Sequence, residues 1–514
     1  MKTVYRALIL LAMASILLIS CQQNGVDARI LPTAILSIPS VTLSPKPTLI
    51  PSVTPFPTLS GIKPYLLLDA GYQSEKLYIY GIDGKSRKEV LLPENRNSII
   101  AGLDLGNSVS PDGTWLVFYS GSIGTQDIEL PVTINLLNLL NGQIIEISQI
   151  VTYGYENKLE LVSEELKKQF PSWFYLDEFN GFDWLDSFTA LDFPWGVFSS
   201  SWSPDGKFLA FAGQIDGISS DVYLYEIKSE NITRLTDDIQ NVSRIRWSAD
   251  GKYVVLSNQI PHPIYPSTSF HFVEPSNAVV KNPKSFWNRT WGGIVDWLSS
   301  EMVLMTGGTD TAGSGTLEVL NVSTGKITSY WDDLYGETAI DHQNRVFAMT
   351  TTYFNPPENP GIYFFDFDGN KRLALNGYYY NLFFRGGIKN RFLALEYPRE
   401  NEYHLKAIAL DGTATELKYL ENYNVSVSPD YLWLLIYNDQ EMDLYDRNDN
   451  FAKSFEISGI DTLKWRPDSQ GVFYSTEKEL YYLDLQSSES IIVDQCEIEN
   501  CSFRLNEYSS VWLP

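Results

Sequence analysis

Short apolar runs separated by polar turns recur along most of the chain. Trp115–Tyr119, Phe208–Ala212, Tyr253–Ser257, Leu432–Tyr437 and Val472–Ser475 are rich in β-forming residues. Related turns stand before them: Ser108-Val109-Ser110-Pro111-Asp112-Gly113, Trp202-Ser203-Pro204-Asp205-Gly206, Trp247-Ser248-Ala249-Asp250-Gly251, Val427-Ser428-Pro429-Asp430 and Trp465-Arg466-Pro467-Asp468. Weaker copies sit at Trp297-Leu298-Ser299-Ser300, Ile340-Asp341-His342 and near Arg385-Gly386. Proline presets φ early in such a turn, Asp bonds the local backbone, and Gly takes the conformation other residues resist. The chain thus reverses from one strand into the next. The Trp or Val before the turn is a large residue for packing between neighbouring sheets.

A second hairpin follows each first one, as in Val222–Ile227 with Ile232–Leu235, Thr316–Val322 with Lys326–Trp331, and Ile362–Phe367 with Lys371–Leu375. Turns such as Asp83-Gly84, Asn141-Gly142, Thr324-Gly325, Asp368-Gly369 and Asp411-Gly412 are strong hairpin signals. Asp205 to Asp250 is 45 positions, Trp247 to Trp297 is 50 and Asp430 to Asp468 is 38. Asp112 to Asp205 is 93, one repeat plus an insertion. Four strands in a repeat of about 45 residues read as the blade of a β-propeller.

The fold class is therefore all-β, a single β-propeller of four-stranded antiparallel blades over residues 61–514. The nine second hairpins predict eight or nine blades, seven if a weak repeat is misread. The head opens with Tyr65–Asp69, Lys76–Ile82 and Lys88–Leu92, three strands lacking a first. Ser510-Val511-Trp512-Leu513-Pro514 is a first strand with nothing after it. Sharing one blade, the two termini close the ring and leave no free edge there. An insertion at residues 149–196 joins the second blade to the third. Asn157 with Glu160 caps a helix, Leu159, Val162, Leu166 and Phe170 form its apolar stripe, and Pro171 stops it.

The Trp-Ser-Pro-Asp-Gly repeats resemble those of TolB-like propellers, relatives of the WD-type repeats. The resemblance runs over roughly residues 61–514, strongest at 108–257 and 424–485, and several central repeats lack Pro-Asp-Gly. It is specific for fold and poorly specific for function. Peptidases gated by such propellers need Gly-x-Ser-x-Gly, a spacing that Gly313-Ser314-Gly315 does not meet.

The N-terminus reads as an address. Lys2 and Arg6 accompany the apolar run Ala7–Ile19, too short for a mature transmembrane helix. The run ends in Leu18-Ile19-Ser20-Cys21, which looks like the lipobox of bacterial lipoproteins. The resemblance implies a signal peptide at 1–20, removed, and Cys21 lipidated as the membrane anchor. Residues 21–60 then form a Pro/Ser/Thr-rich tether with prolines at 32, 39, 45, 47, 51, 55 and 57. Extended, residues 22–60 reach roughly 120 Å; the alternative docks Leu43, Leu49 and Ile50 on the head. Cys496 and Cys501 remain, five apart, and suggest a local disulfide in an exported protein.

Composition mostly excludes. With 63 Asp+Glu against 38 Lys+Arg, the net charge of −25 argues against a nucleic-acid partner. Four scattered histidines argue against a His-rich metal centre. Asp446-x-Asn448-x-Asn450 and Asp366-x-Asp368-Gly369-Asn370 alternate oxygen ligands but lack the later Glu of a calcium loop. No cofactor, metal or catalytic residue is assigned.

Propeller topology places first-to-second and third-to-fourth turns on one face, and second-to-third loops and blade connections on the other. The first face has tight turns. The second carries the long loops Ser120–Leu130, Gly213–Ser220, Ile260–Ser267, Gly307–Gly315, Tyr353–Gly361 and Tyr397–Glu402, joined by connections at 282–292, 332–338 and 376–387. Function is expected on this long-loop face. Trp173, Tyr175, Asp177, Trp184, Asp186 and Trp195 of the insertion, with Trp287, Trp291 and Tyr379, are the candidate binding residues for a protein partner or glycan. Packing of these aromatics onto the propeller is the plainer alternative. A carbohydrate-acting envelope hydrolase and a structural or sensory ectodomain are the competing functions.

Overall fold

The computed structural model describes the strands of residues 42–514 and their tight turns. Residues 1–41, 51–63, 121–131 and 151–198, and the middles of most other long connections, lie outside the described residues. Cys21, Cys501, the insertion candidates Trp173, Tyr175, Asp177, Trp184, Asp186 and Trp195, and Trp287 fall among these. The expected helix of the insertion does too. The one helix among the described residues is the single turn Leu105–Ser108. No helix there is long and apolar enough to cross a membrane.

Nine four-stranded antiparallel blades form a ring. Blade 1 combines Ser510–Leu513 with Tyr65–Asp69, Leu77–Gly81 and Arg87–Val90. Its register pairs Leu66 with Trp512 and Leu67 with Val511, which is the expected closure. The inner strands of blades 2 to 9 are Ser98–Ile99, Ser200–Trp202, Val242–Trp247, Arg289–Trp297, Tyr335–Asp341, Tyr379–Arg385, Asn424–Val427 and Thr462–Trp465. Three further strands follow each one outward.

The ring has no central core. Instead, nine apolar slabs fill the nine gaps between adjacent blades. A sheet stacked on both faces buries successive side chains, so its strands are continuous apolar runs. Val117, Phe118 and Tyr119 are buried in turn, pointing alternately to the two neighbouring gaps. This requirement for filling two faces explains much of the aromatic content.

The recurring turn is a compact hydrogen-bonded unit. In blade 3, Ser203 Oγ donates to Asp205 Oδ1 at 2.8 Å and accepts from Phe208 N at 3.0 Å. Lys207 N donates to the same Asp205 oxygen. Ser110/Asp112, Ser248/Asp250 and Ser428/Asp430 repeat the arrangement. Gly113, Gly206 and Gly251 take φ near +70°; Tyr431 and Ser469 occupy the equivalent left-handed position at 60° and 61°. The tryptophan before the turn also crosses the gap. Trp202 Nε1 donates to Ser108 O at 3.1 Å, Trp247 to Ser201 O at 2.9 Å and Trp465 to Ser426 Oγ at 3.0 Å. Each indole thus ties its blade to the preceding one.

These turns hold carboxylates ionised. The hydrogen bond from Lys207, with that from Ser203, lowers Asp205 to about 2. Asn370 lowers Asp366, Thr413 lowers Asp411, and the Ser487 amide lowers Asp484. A carboxyl depressed in the folded state stabilises above its unfolded pKa of about 4 and loses that contribution as pH falls through its folded value. Denaturation midpoints are therefore expected to fall between about pH 4 and pH 2, and less steeply in an Asp205→Asn/Asp366→Asn variant. Equal slopes in the two proteins would refute this origin.

Two pieces of the Pro-rich segment lie against the ring rather than apart from it. Thr42–Leu43 pairs with Ile232–Thr233 outside blade 3, and Thr48–Ile50 with Ile144–Glu146 outside blade 2. A wholly detached stalk over residues 22–60 does not describe these five residues, whose backbone adds fifth strands that cover two open edges.

Candidate functional site

The tight-turn face consumes its own polar groups. Asp446 Oδ1 accepts the amides of Asn448 and Asn450, and its Oδ2 accepts Asn450 Nδ2 at 3.1 Å. Asp366 serves Asp368 and Asn370 in the same way. The two oxygen-rich spacings therefore build hairpin turns. Among the described residues no group of three or more His, Cys, Asp or Glu is arranged to hold a metal ion.

The long-loop face is built differently. Inner strands start on this face and run toward the tight turns. Their pairing to the second strand slips between Val242 and Arg244 in blade 4, between Thr290 and Gly293 and again between Ile294 and Asp296 in blade 5, between Tyr335 and Thr338 in blade 6, and between Tyr380 and Phe383 in blade 7. Among the described residues the inner strands of blades 1, 3, 8 and 9 pair without a shift, while that of blade 2 is interrupted between Ile99, opposite Tyr119, and Val109, opposite Leu116. Bulges re-aim side chains and end regular pairing, and they gather beside functional sites. Among the described residues these one-residue bulges fall on blades 4 to 7, at or toward the long-loop end of their strands except for the one between Ile294 and Asp296, which precedes the tight turn.

Local chemistry specifies the bulges. A Cβ on Gly336 would lie 2.5 Å from Thr350 Oγ1, the atom that accepts Glu337 N at 2.8 Å. Asn381 has a left-handed φ of 51°, a region its short amide tolerates. Contacts between blades then lock the sector. Glu337 Oε2 accepts Leu382 N across the gap between blades 6 and 7 at 2.6 Å. Tyr335 bonds Thr306, the residue opposite Gly293, across the gap between blades 5 and 6; burial nevertheless raises the Tyr335 hydroxyl's pKa. Glu337, Asn381 and Asn424 are exposed on three successive inner strands, with Tyr335 and Tyr380 half-buried beside them.

Two candidate residues from the sequence lie in this sector. Trp291 falls inside the blade 5 bulge, within an inner strand that begins at Arg289 and not in a loose connection over 282–292. Tyr379 opens the inner strand of blade 7 but is buried, its hydroxyl donating to Asn376 O at 3.0 Å. Burial, with the Glu396 charge, raises its pKa. Tyr379 is thus a packing residue of the gap between blades 6 and 7 and not a ligand-facing ring. Glu337 and Asn381 lie within the connections at 332–338 and 376–387 but were not singled out. Their signal was a polar residue interrupting an inner-strand run, Gly336-Glu337 and Asn381.

No family model and no curated protein matches the chain. Solved structures do. The crystal structure of a eukaryotic initiation factor aligns with TM-score 0.52 at 9% identity, over 88% of this chain and 99% of the other. Porphyromonas gingivalis dipeptidyl peptidase 4 aligns with TM-score 0.44 at 10% identity, over 80% and 64%. TolB from Acinetobacter baumannii aligns with TM-score 0.29 at 15% identity, over 61% and 63%. At 9% identity the first likeness is one of fold. The chain is a nine-bladed β-propeller.

Proposed function

We propose that the protein is a lipid-anchored extracytoplasmic propeller that captures a glycan or protein partner, without catalysis, on its long-loop face. The observation that carries this reading is the run of one-residue inner-strand bulges on blades 4–7 among the described residues, most of them toward that face. The opposite face closes its turns on itself. The anchor rests on Leu18-Ile19-Ser20-Cys21. A Cys496–Cys501 disulfide fits a loop held at both ends, by Cys496 N on Lys478 O and Leu505 N on Thr462 Oγ1.

Hydrogen exchange on the full-length protein in detergent, with and without a solubilised envelope fraction, tests the face. Protection is expected at 289–293, 335–338 and 379–383. Protection confined to the turns at 110–113, 203–206 and 248–251 would overturn the reading.

A further inference from the structure

We infer that the bulged sector is a subsite for a neutral glycan chain, with Glu337 and Asn381 as its polar centre; this rests on the long-loop-face reading above. Glu337 is fixed at both its backbone and its side chain. Its amide is held by Thr350 Oγ1, and Oε2 is held by Leu382 N. Oε1 is thereby positioned on an exposed residue at the channel mouth, where a carboxylate oxygen accepts hydroxyl donors. Asn381 follows on the next inner strand, exposed, and its carboxamide both donates and accepts. Asn424 continues the series on the strand after that. An acceptor beside groups that donate and accept matches adjacent sugar hydroxyls, which do both.

Two observations select this ligand class. First, protein partners are gripped by buried apolar or aromatic anchors. The exposed large apolar residues among those described are Leu140, Leu373, Tyr431, Leu432, Phe451 and Ile492, and all lie on tight turns or outer strands. None is among the described side chains of the bulged mouth. Second, a chain of net charge −25 repels polyanions, and Glu337 adds to that at the mouth itself. Uronate, sulfated and phosphate-bearing polymers are therefore disfavoured.

The test uses the full-length protein in detergent on an array of neutral gluco-, manno-, xylo- and N-acetylglucosamine hexasaccharides, with polygalacturonate as the anionic control. Capture of at least one neutral series is expected, and none of polygalacturonate. Glu337→Ala and Asn381→Gly are each expected to weaken capture at least tenfold, the latter keeping the left-handed backbone. Glu337→Gln can still accept Leu382 N and is expected to retain most of the affinity. Unchanged denaturation midpoints exclude misfolding as the cause. Preference for polygalacturonate, or neutral capture untouched by both substitutions, would overturn the subsite. Failure of every glycan, with the exchange footprint still on the long-loop face, removes the inference and leaves the broader reading. A footprint on the tight turns removes both.

Discussion

Asp449→Ala is expected to destabilise the ring by about 3–5 kcal/mol, the range for removing one partner of a buried ion pair. Asp449 lies in the outer turn of blade 8 and accepts from Arg385 and Arg391, which flank the inner turn of blade 7. The three side chains are 6%, 2% and 9% exposed respectively. Arg385 also donates to Asp446 O at 2.9 Å and Arg391 to Arg447 O at 3.3 Å. Burial pulls the Arg385 guanidinium below its ordinary value, and Asp449 opposes that pull. Asp446 acts on Arg385 through space as well, but without Asp449 the two guanidiniums lose their direct carboxylate partner in a desolvated site. Arg391→Leu leaves Arg385 paired directly with Asp449 and is expected to cost less. Denaturant midpoints of the three proteins check the ordering. An Asp449→Ala midpoint equal to wild type, or above that of Arg391→Leu, would show that water reaches the cluster.

That clasp also shows where reading the sequence stops. The turn units were legible because all their partners lie within five positions: Ser203, Asp205, Lys207 and Phe208 form one unit. Even the copies without glycine were recognisable, and Tyr431 and Ser469 accept the left-handed conformation in its place. Closure was legible because a strand without followers and three strands without a leader complete each other. Arg385 and Asp449 stand 64 positions apart, and no local pattern pairs them. The bulges were hidden for a related reason. Slippage at Gly336-Glu337 depends on Thr350 of the facing strand, so the inner strands of blades 5 to 7 read partly as connections. For Tyr379 binding and packing both stay open in the sequence, because alternation within Tyr378-Tyr379-Tyr380 leaves the buried member undetermined until the register is known. The pairing of Thr42–Leu43 and Thr48–Ile50 with outer strands needs long-range geometry as well.

Deleting residues 510–514 is expected to have a still larger effect, because it opens the ring. The strand supplies the inner edge of blade 1, pairing with Tyr65, Leu66, Leu67 and Leu68. Leu66, Leu67 and Leu68 are fully buried. Trp512 donates its indole N–H to Trp465 O at 2.9 Å and packs on Phe473 at a ring separation of 5.8 Å. Lys464 Nζ donates to Ser510 O at 2.9 Å. Pro514 lies so close to Gly113 that a Cβ there would be 2.6 Å from its Cδ, which seats the end of the chain on blade 2. Stripping Val511, Trp512 and Leu513 removes about 1.5–3 kcal/mol for each side chain that is fully buried, and somewhat less for the first two, which are partly exposed. It also leaves an apolar strand with unpaired backbone groups, a template for association. The expected result is a lowered denaturation midpoint together with oligomers in size-exclusion chromatography. Trp512→Phe isolates one part: the ring stays and the donor goes, leaving the Trp465 carbonyl without it at a cost of about 1–3 kcal/mol. A truncated chain that stays monomeric with a wild-type midpoint would mean that closure adds nothing to stability. The outer clasp of the same junction, Asp494 with Tyr80 at 2.6 Å and Arg87 at 3.0 Å, would then have to hold the ring alone.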